Sequence, residues 1–331
     1  MHILVTGGTG YIGAHTSVAL INAGHTVTIL DDLSNSQASV VDRIAAISGE
    51  TPSFFAGDVR DRALLKQVFN TQAIDAVIHF AGLKAVGESV AQPLRYYDCN
   101  VGGSIALCQA MDDAAVKTLI FSSSATVYGD PNSVPIKESA ARSATNPYGA
   151  SKLTVENVLA DLAHADPTWR IARLRYFNPV GAHASGLIGE QPNGVPNNLM
   201  PYVAQIAAGL REQLNIFGND YPTADGTGVR DYIHVMDLAE GHLAALDYLN
   251  THPGLLTVNL GTGRGYSVLD MVRVFAKTTG QTIPYRMVDR RPGDIASCYA
   301  DPSLAQQLLD WHAKRGLEEM CRDAWHWQQQ Q

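Results

Sequence analysis

Cysteine is scarce in this chain. Only Cys99, Cys108, Cys298 and Cys321 occur among 331 residues, and no two stand at a metal-ligand spacing. That speaks against a disulfide scaffold or a zinc ribbon and for reduced thiols. The eleven histidines never form a His-Glu-x-x-His arrangement, so no metal site is expected. No apolar run reaches the length of a membrane span, and no basic-then-apolar leader precedes the strand-like His2 to Thr6. A cytoplasmic protein without membrane contact is expected. Lys and Arg number 24 against 32 acids, a net charge of -8, and no basic cluster breaks that balance along the sequence. Nucleic acid is therefore not an expected partner. Low-complexity sequence is confined to Gln328 to Gln331, which is expected to fray.

What is present is a chain that is 46% hydrophobic, long enough for a large core and two lobes. Short β-branched runs alternate with segments of helical period: Ile3 to Val5, Thr26 to Leu30, Ser53 to Phe55, Ala76 to Phe80, Leu119 to Ser122 and Ile171 to Tyr176. The alternation predicts an α/β fold with a doubly wound, Rossmann-type parallel sheet. After Gly181 the texture turns to Gly, Pro and Asn-rich loops with helices between them, such as Val268 to Thr279. We expect residues 1–180 to hold a dinucleotide and residues 181–331 to form a smaller α/β substrate domain, with a segment near 230–250 returning to the first.

Gly7-Gly8-Thr9-Gly10-Tyr11-Ile12-Gly13 joins the first strand to a helical stretch. Glycines at Gly7, Gly10 and Gly13 let a pyrophosphate approach the backbone and sit on free N–H groups at a helix N-terminus. The second strand ends at Asp31-Asp32, about 20 residues on, where an acid accepts from the adenosine ribose 2′-hydroxyl and repels a 2′-phosphate. NAD is thus preferred to NADP. Taken alone, the two acids would merely start a turn. Further strand ends supply Asp58 and Val59, with Asp58 within reach of the adenine amino group, and Phe80, Ala81, Gly82 and Lys84.

Ser122-Ser123-Ser124 ends a strand, and Tyr148-Gly149-Ala150-Ser151-Lys152 opens the next helix. Tyr148 and Lys152, four apart, share a helical face. A tyrosine base at neutral pH needs its pKa lowered by about three units, roughly 4 kcal/mol in favour of tyrosinate. A nearby ammonium and the positive nicotinamide ring can supply that. The ammonium also suits the nicotinamide ribose hydroxyls, and the Ser124 hydroxyl can relay the proton of a secondary alcohol. A solvated helical pair is the plain alternative for an isolated Tyr-x-x-x-Lys.

On these residues the chain resembles the extended short-chain dehydrogenase/reductases, and within them the UDP-glucose 4-epimerases. The resemblance covers nearly the whole length. It is carried by Thr6 to Gly13, His79-Phe80-Ala81-Gly82-Leu83-Lys84-Ala85-Val86-Gly87-Glu88-Ser89, Phe121 to Gly129, Arg175-Tyr176-Phe177-Asn178-Pro179-Val180-Gly181-Ala182, Pro196 to Pro201 and Asp225 to Val235. It implies that Tyr148, helped by Ser124, takes the O4 proton of a UDP-hexose as C4 passes hydride to tightly held NAD. The 4-ketosugar then turns over and regains hydride on its other face. By the same resemblance Asn35, Ser36, Ser122 and Phe177 join the NAD site. Lys84, Asn178, Asn197, Asn198, Leu199, Ile216, Phe217, Tyr232 and Asp294 border the UDP-sugar. Arg230 and Arg291 clamp the diphosphate, and a homodimer pairs the helix around Val90 to Asp113 with that of Tyr148 to Leu162. Cys99 replaces an asparagine that touches NAD in some relatives, so that contact is not carried over.

Rival chemistries on the same fold, a 4,6-dehydratase or a decarboxylase, need an acid or base directly after the serine strand end. Ala125-Thr126 stand there instead. A non-enzymatic NAD-sensing module is a rival of another class, disfavoured by the presence of Tyr148 and Lys152. Cys298 stands where many bacterial relatives carry tyrosine. A small residue there leaves room for a 2-acetamido group, so turnover of UDP-N-acetylglucosamine and UDP-N-acetylgalactosamine is a further expectation, unless Tyr299 swings into the same space.

Overall fold

A computed structural model describes residues 1–291 and 293–331. The six apolar runs of the first half form β1 (His2–Thr6), β2 (Thr26–Asp31), β3 (Ser53–Ala56), β4 (Ala76–His79), β5 (Thr118–Ser124) and β6 (Arg170–Tyr176). Their runs are nearly continuous because a parallel sheet is covered by helices on both faces. Four short strands follow: β7 (Asn178–Val180), β8 (Leu214–Phe217), β9 (Val229–Arg230) and β10 (Tyr232–His234). Then β11 (Gly254–Leu260) completes a parallel sheet of order β11-β6-β5-β4-β1-β2-β3. The order reverses between β1 and β4, so a ligand crevice opens beyond the carboxyl ends of that pair. In the second half β14 (Ser297–Cys298) and β12 (Tyr266–Ser267) flank β9, and β13 (Tyr285–Val288) pairs with β8.

One face of the sheet buries Val18 and Leu20 of the helix Tyr11–Asn22 with Leu238 and Leu246 of the helix Val235–Thr251. The other buries Leu65, Leu107, Val155 and Leu159. Met200, Val203, Phe275 and Met320 form the core of the second lobe. A small seam cluster holds Ala125, Val127, Tyr128, Phe177 and Cys298. Among the described residues no helix is long and apolar enough to cross a membrane.

Some local expectations are met and others are not. The helix Val268–Thr279 has the expected bounds, fixed by a Ser267/Asp270 capping box and a left-handed Gly280. The helix expected over Val90 to Asp113 is interrupted once, at Gln92. Val86–Ala91 stops there, and Pro93 starts a helix that passes through a wide turn at Tyr97–Gly102 into Gly103–Asp113 without leaving the helical backbone region. Proline has no N–H to continue the first helix. The helix Leu317–Gln328 reaches the first of the final glutamines and ends in a turn, where the Gln330 N–H donates to the Trp327 carbonyl at 3.0 Å.

The helix Pro147–Ala165 is fixed in rotation by a buried charge pair. Glu156 lies on the face of Tyr148 and Lys152, one further helical step of four beyond Lys152. Its carboxylate accepts from Arg175 Nε at 2.8 Å, Arg175 Nη2 at 2.6 Å and Ser123 Oγ at 2.6 Å. Arg175 also donates to the Tyr128 hydroxyl at 3.0 Å, which donates to Asn259 Oδ1 at 2.6 Å. Burial alone would raise the Glu156 carboxyl, but the Arg175 bonds outweigh it and hold the group below 4.5. A depressed carboxyl stabilises the fold above its unfolded value and loses that contribution as pH falls through its folded value. Glu156→Ala is therefore expected to cost about 3–5 kcal/mol at pH 7, since it strands the Arg175 charge. In acid titrations followed by circular dichroism, the gap between the two proteins should narrow below pH 4.5; a pH-independent gap would argue against the ion pair as its source.

Candidate active site

The glycine loop sits at the switch point. A Cβ on Gly7, whose φ is +70°, would lie 2.7 Å from the Ala81 nitrogen, and one on Gly13 would lie 2.2 Å from the Gly7 carbonyl oxygen. One on Gly10 would stand 3.1 Å from that same oxygen. Only glycine lets β1, β4 and the first helix converge this closely. No side chain caps that helix, whose N-cap is Gly10, so its first-turn N–H groups, including those of Tyr11 and Ile12, face the crevice. Asp31 is buried and accepts from the Thr9 N–H at 3.1 Å, the Leu33 N–H at 2.9 Å and Ser36 Oγ at 3.1 Å. It thereby ties the glycine loop to the end of β2. Asp32 accepts from the Ser34 N–H at 2.9 Å, and Asn35 is the next polar side chain along this rim. Asp58 is gripped by Arg60, whose bond holds its carboxyl below the usual range.

Lys152 is 5% exposed, and burial pulls its ammonium down to about 8. Among the described residues its one hydrogen bond goes to the Ser122 carbonyl, at 2.8 Å. An ammonium has three N–H groups, so this one has capacity for the hydroxyls of a ribose. The uncapped helix, the glycine cradle, Asp31 and Lys152 together fit NAD. Asn100 was not anticipated as part of the frame. It bonds both the N–H and the carbonyl of Leu83, at 2.7 and 3.0 Å, and Ser151 Oγ at 2.9 Å, which joins the loop after β4 to the Tyr148 helix. Only its position beside Cys99 could have marked it.

Tyr148 meets Ser124 at the end of β5. Ser124 Oγ accepts from the Thr126 N–H at 3.2 Å and from Thr126 Oγ1 at 3.0 Å, which leaves its own proton to be donated to the Tyr148 oxygen. Burial holds the Tyr148 phenol above its ordinary value, and the Ser124 bond and the charge of Lys84 offset only part of that. Lys84 is thus a cation near the phenol that spacing did not point to, while Lys152 is anchored at the Ser122 carbonyl. Lys84 in turn pairs with Glu190 at 3.0 Å, and Glu190 also accepts from Asn198 Nδ2 at 2.6 Å. Glu190 carries no sequence motif of its own, and its role is visible only once the loop after Gly181 folds over the crevice.

The remaining residues divide into two groups. Arg291 bonds Asp294 through Nε at 2.9 Å and lies 4.7 Å over the half-exposed Phe217 ring, so these three converge. Arg230 stands beside Cys298 in the β9–β14 register and donates to the Val229 and Ile295 carbonyls at 2.8 and 2.9 Å. Asn178, Asn197 and Asn198 are exposed, and Leu199 is part-buried at the start of its helix. Val59, Ile216 and Tyr232 turn their side chains into cores. Phe80 packs 4.8 Å from the His242 ring, Gly82 is exposed, and Phe177 lies with Cys298 in the seam cluster.

The model of the GDP-mannose 4,6 dehydratase family matches residues 4–324. The chain is 60% identical over 328 residues to the UDP-glucose 4-epimerase of Bacillus subtilis, covering 99% of this chain and 97% of that one. The UDP-glucose 4-epimerase of Stenotrophomonas maltophila, solved with bound NAD and formylated UDP-arabinopyranose, superposes with a TM-score of 0.98 at 56% identity, covering 100% of this chain and 98% of the other. That of Bifidobacterium longum, in complex with NAD+ and UDP, gives 0.97 at 50% identity with the same coverage. Matches of this length and identity, on a fold with the NAD cradle and the Tyr148–Ser124 pair in place, mean that the chain belongs to the UDP-glucose 4-epimerases, NAD-dependent isomerases of the extended short-chain dehydrogenase/reductases.

Proposed function

We propose that Tyr148 is the proton acceptor in the interconversion of UDP-glucose and UDP-galactose at C4, with Ser124 as relay and Lys152 as the holder of the cofactor ribose. The observation that carries this is the Ser124 hydroxyl, whose lone pairs are taken by Thr126 and whose proton is left for the phenol oxygen. Bound NAD supplies a reversible two-electron acceptor for C4 and a positive charge beside the phenol. Tyr148 takes the O4 proton, stabilised as tyrosinate by Ser124 and Lys84, and returns it once the 4-ketosugar has presented its other face. Residues 1–180 hold NAD and residues 181–331 hold the UDP-sugar, with Arg230 and Arg291 on the diphosphate and Phe217 beside the uracil. Arg230 suits this role because its present partners are neutral carbonyls, so its charge is available to a phosphate. A dehydratase reading is disfavoured, because Thr126 is spent on Ser124 and Ala125 is buried in the seam.

The four cysteines are unpaired, in keeping with a reducing cytoplasm. The broken helix near Val90 exposes Val90, Leu94, Tyr97 and Ile105, apolar side chains that a second copy would cover in a homodimer.

Room at the sugar is set by Cys298, which is packed with Ala125 and Phe177. The neighbouring Tyr299 ring lies against Gly265, where an added Cβ would come within 3.0 Å of it, so it points away from the space beside Cys298. This favours a second substrate pair, UDP-N-acetylglucosamine and UDP-N-acetylgalactosamine, admitted by size rather than by new bonds.

Three outcomes are expected. Purified protein with no added cofactor should convert UDP-galactose to UDP-glucose by NMR, and Tyr148→Phe should lower that turnover about 10²–10⁴-fold while its NAD content stays unchanged. A 4-keto-6-deoxy product would move the assignment to a dehydratase, and near-normal turnover of the variant would remove Tyr148 as the base. Cys298→Tyr should abolish epimerisation of UDP-N-acetylgalactosamine and spare UDP-galactose; the open-gate reading fails if the unaltered protein turns over only the latter. Light scattering should give twice the chain mass, and a value of one chain mass would refute the dimer.

A further inference from the structure

Folding creates a basic pocket that the sequence does not display. Arg173 and Arg175, two apart on β6, and Arg142 from the loop before the Tyr148 helix line a surface cavity of about 390 Å³, with Ser139 and Asn157 also at its wall. Two carboxylates, Glu156 and Glu138, lie beside these three guanidiniums, and each already accepts from another part of the chain. Glu156 is held by Arg175 and Ser123, with Arg142 Nη1 more distant at 3.4 Å. Glu138 Oε1 accepts from the Asn259 N–H at 2.7 Å.

Arg173 is the telling member. It is part-buried and has no carboxylate within 4.0 Å among the described residues. Its partners are Thr257 Oγ1, reached by Nε at 2.9 Å and Nη2 at 2.7 Å, and the Glu156 carbonyl, reached by Nη1 at 2.9 Å. A guanidinium has five N–H groups, so one on each terminal nitrogen of Arg173 remains for a further acceptor. Several exposed arginines of this acidic chain, Arg60, Arg95 and Arg290 among them, are paired with a carboxylate. Here Arg142, only loosely held by Glu156, and Arg173 stand together beyond the Glu156–Arg175 pair, against the one further carboxylate of Glu138, with a hydroxyl and an amide on the same wall. A planar fork, a second guanidinium and neutral donors around a cavity are what a dianionic oxyanion needs.

We propose that this cavity, on the outer side of the helix that carries Tyr148, binds a small dianionic oxyanion of the phosphate type. The anion bridges Arg142 and Arg173, accepts from Ser139 and Asn157, and leaves Glu156 to Arg175 alone. The site is separate from the diphosphate clamp and does not depend on it.

The test is calorimetric titration of inorganic phosphate into the NAD-loaded protein with UDP at saturation, so that the nucleotide pocket is filled, against chloride at equal ionic strength. One phosphate per chain is expected. At ten times the dissociation constant, the unfolding temperature should rise by about 2 °C. Arg142→Glu should weaken binding by at least about tenfold. Asn157→Glu, an exposed change on the same wall, should do so too, and it tests the site even if the first variant folds poorly. Absence of a saturable phosphate heat, or binding that survives Asn157→Glu unchanged, would overturn the proposal.

Discussion

The Glu156–Arg175 pair is the interaction on which the geometry of the candidate site depends. Two ions taken out of water persist only when their bonds are nearly complete, and here the bonds to Ser123, Tyr128 and, through Tyr128, Asn259 complete them. These partners belong to β5, β6, β11 and the turn after β5, so the pair fixes the rotation of the Pro147–Ala165 helix against three strands of the sheet. Tyr148 and Lys152 share the helical face of Glu156. The direction in which they meet Ser124 and the Ser122 carbonyl follows from that one anchor.

The sheet was largely legible because its strands are buried on both faces and read as apolar runs between helices. The glycine loop was legible because only glycine tolerates the 2.2–2.7 Å approaches at Gly7 and Gly13. β11 was missed because it is an edge strand whose exposed Leu255 interrupts the buried pattern, and because a long helix separates it from the strands before it. The break at Gln92 is written in the sequence by Pro93, and the helix from Val90 was expected only from the resemblance. Helical spacing correctly put Tyr148 and Lys152 on one face, but spacing cannot say how far a lysine reaches into the sheet. Lys152 goes to a strand-end carbonyl, and the phenol feels Lys84. Glu190, Thr126 and Asn100 act through contacts distant in sequence or through a bare hydroxyl, neither of which carries a local pattern.

In the proposed mechanism the two lysines divide the work that a single cation could not do. Lys152 is buried and directed toward ribose hydroxyls, so it serves as a fixed ligand for the cofactor. Lys84 is half exposed and pairs with Glu190, which also holds Asn198 at the head of a second-lobe helix. The charge that offsets part of the burial of the Tyr148 phenol is therefore linked, through Glu190 and Asn198, to the second lobe. The remainder of the pocket is graded in the same sense. In the proposed mechanism Arg230, Arg291 and Phe217 would give the nucleotide end charge and a ring to hold it, and the sugar end would meet the apolar cluster of Ala125, Phe177 and Cys298, which offers shape and few hydrogen bonds. An epimerase needs this asymmetry, because the ketosugar must show both faces to the same acceptor while the nucleotide stays fixed. Tight bonds at the sugar would stabilise one epimer and slow the turn, whereas an apolar wall penalises neither.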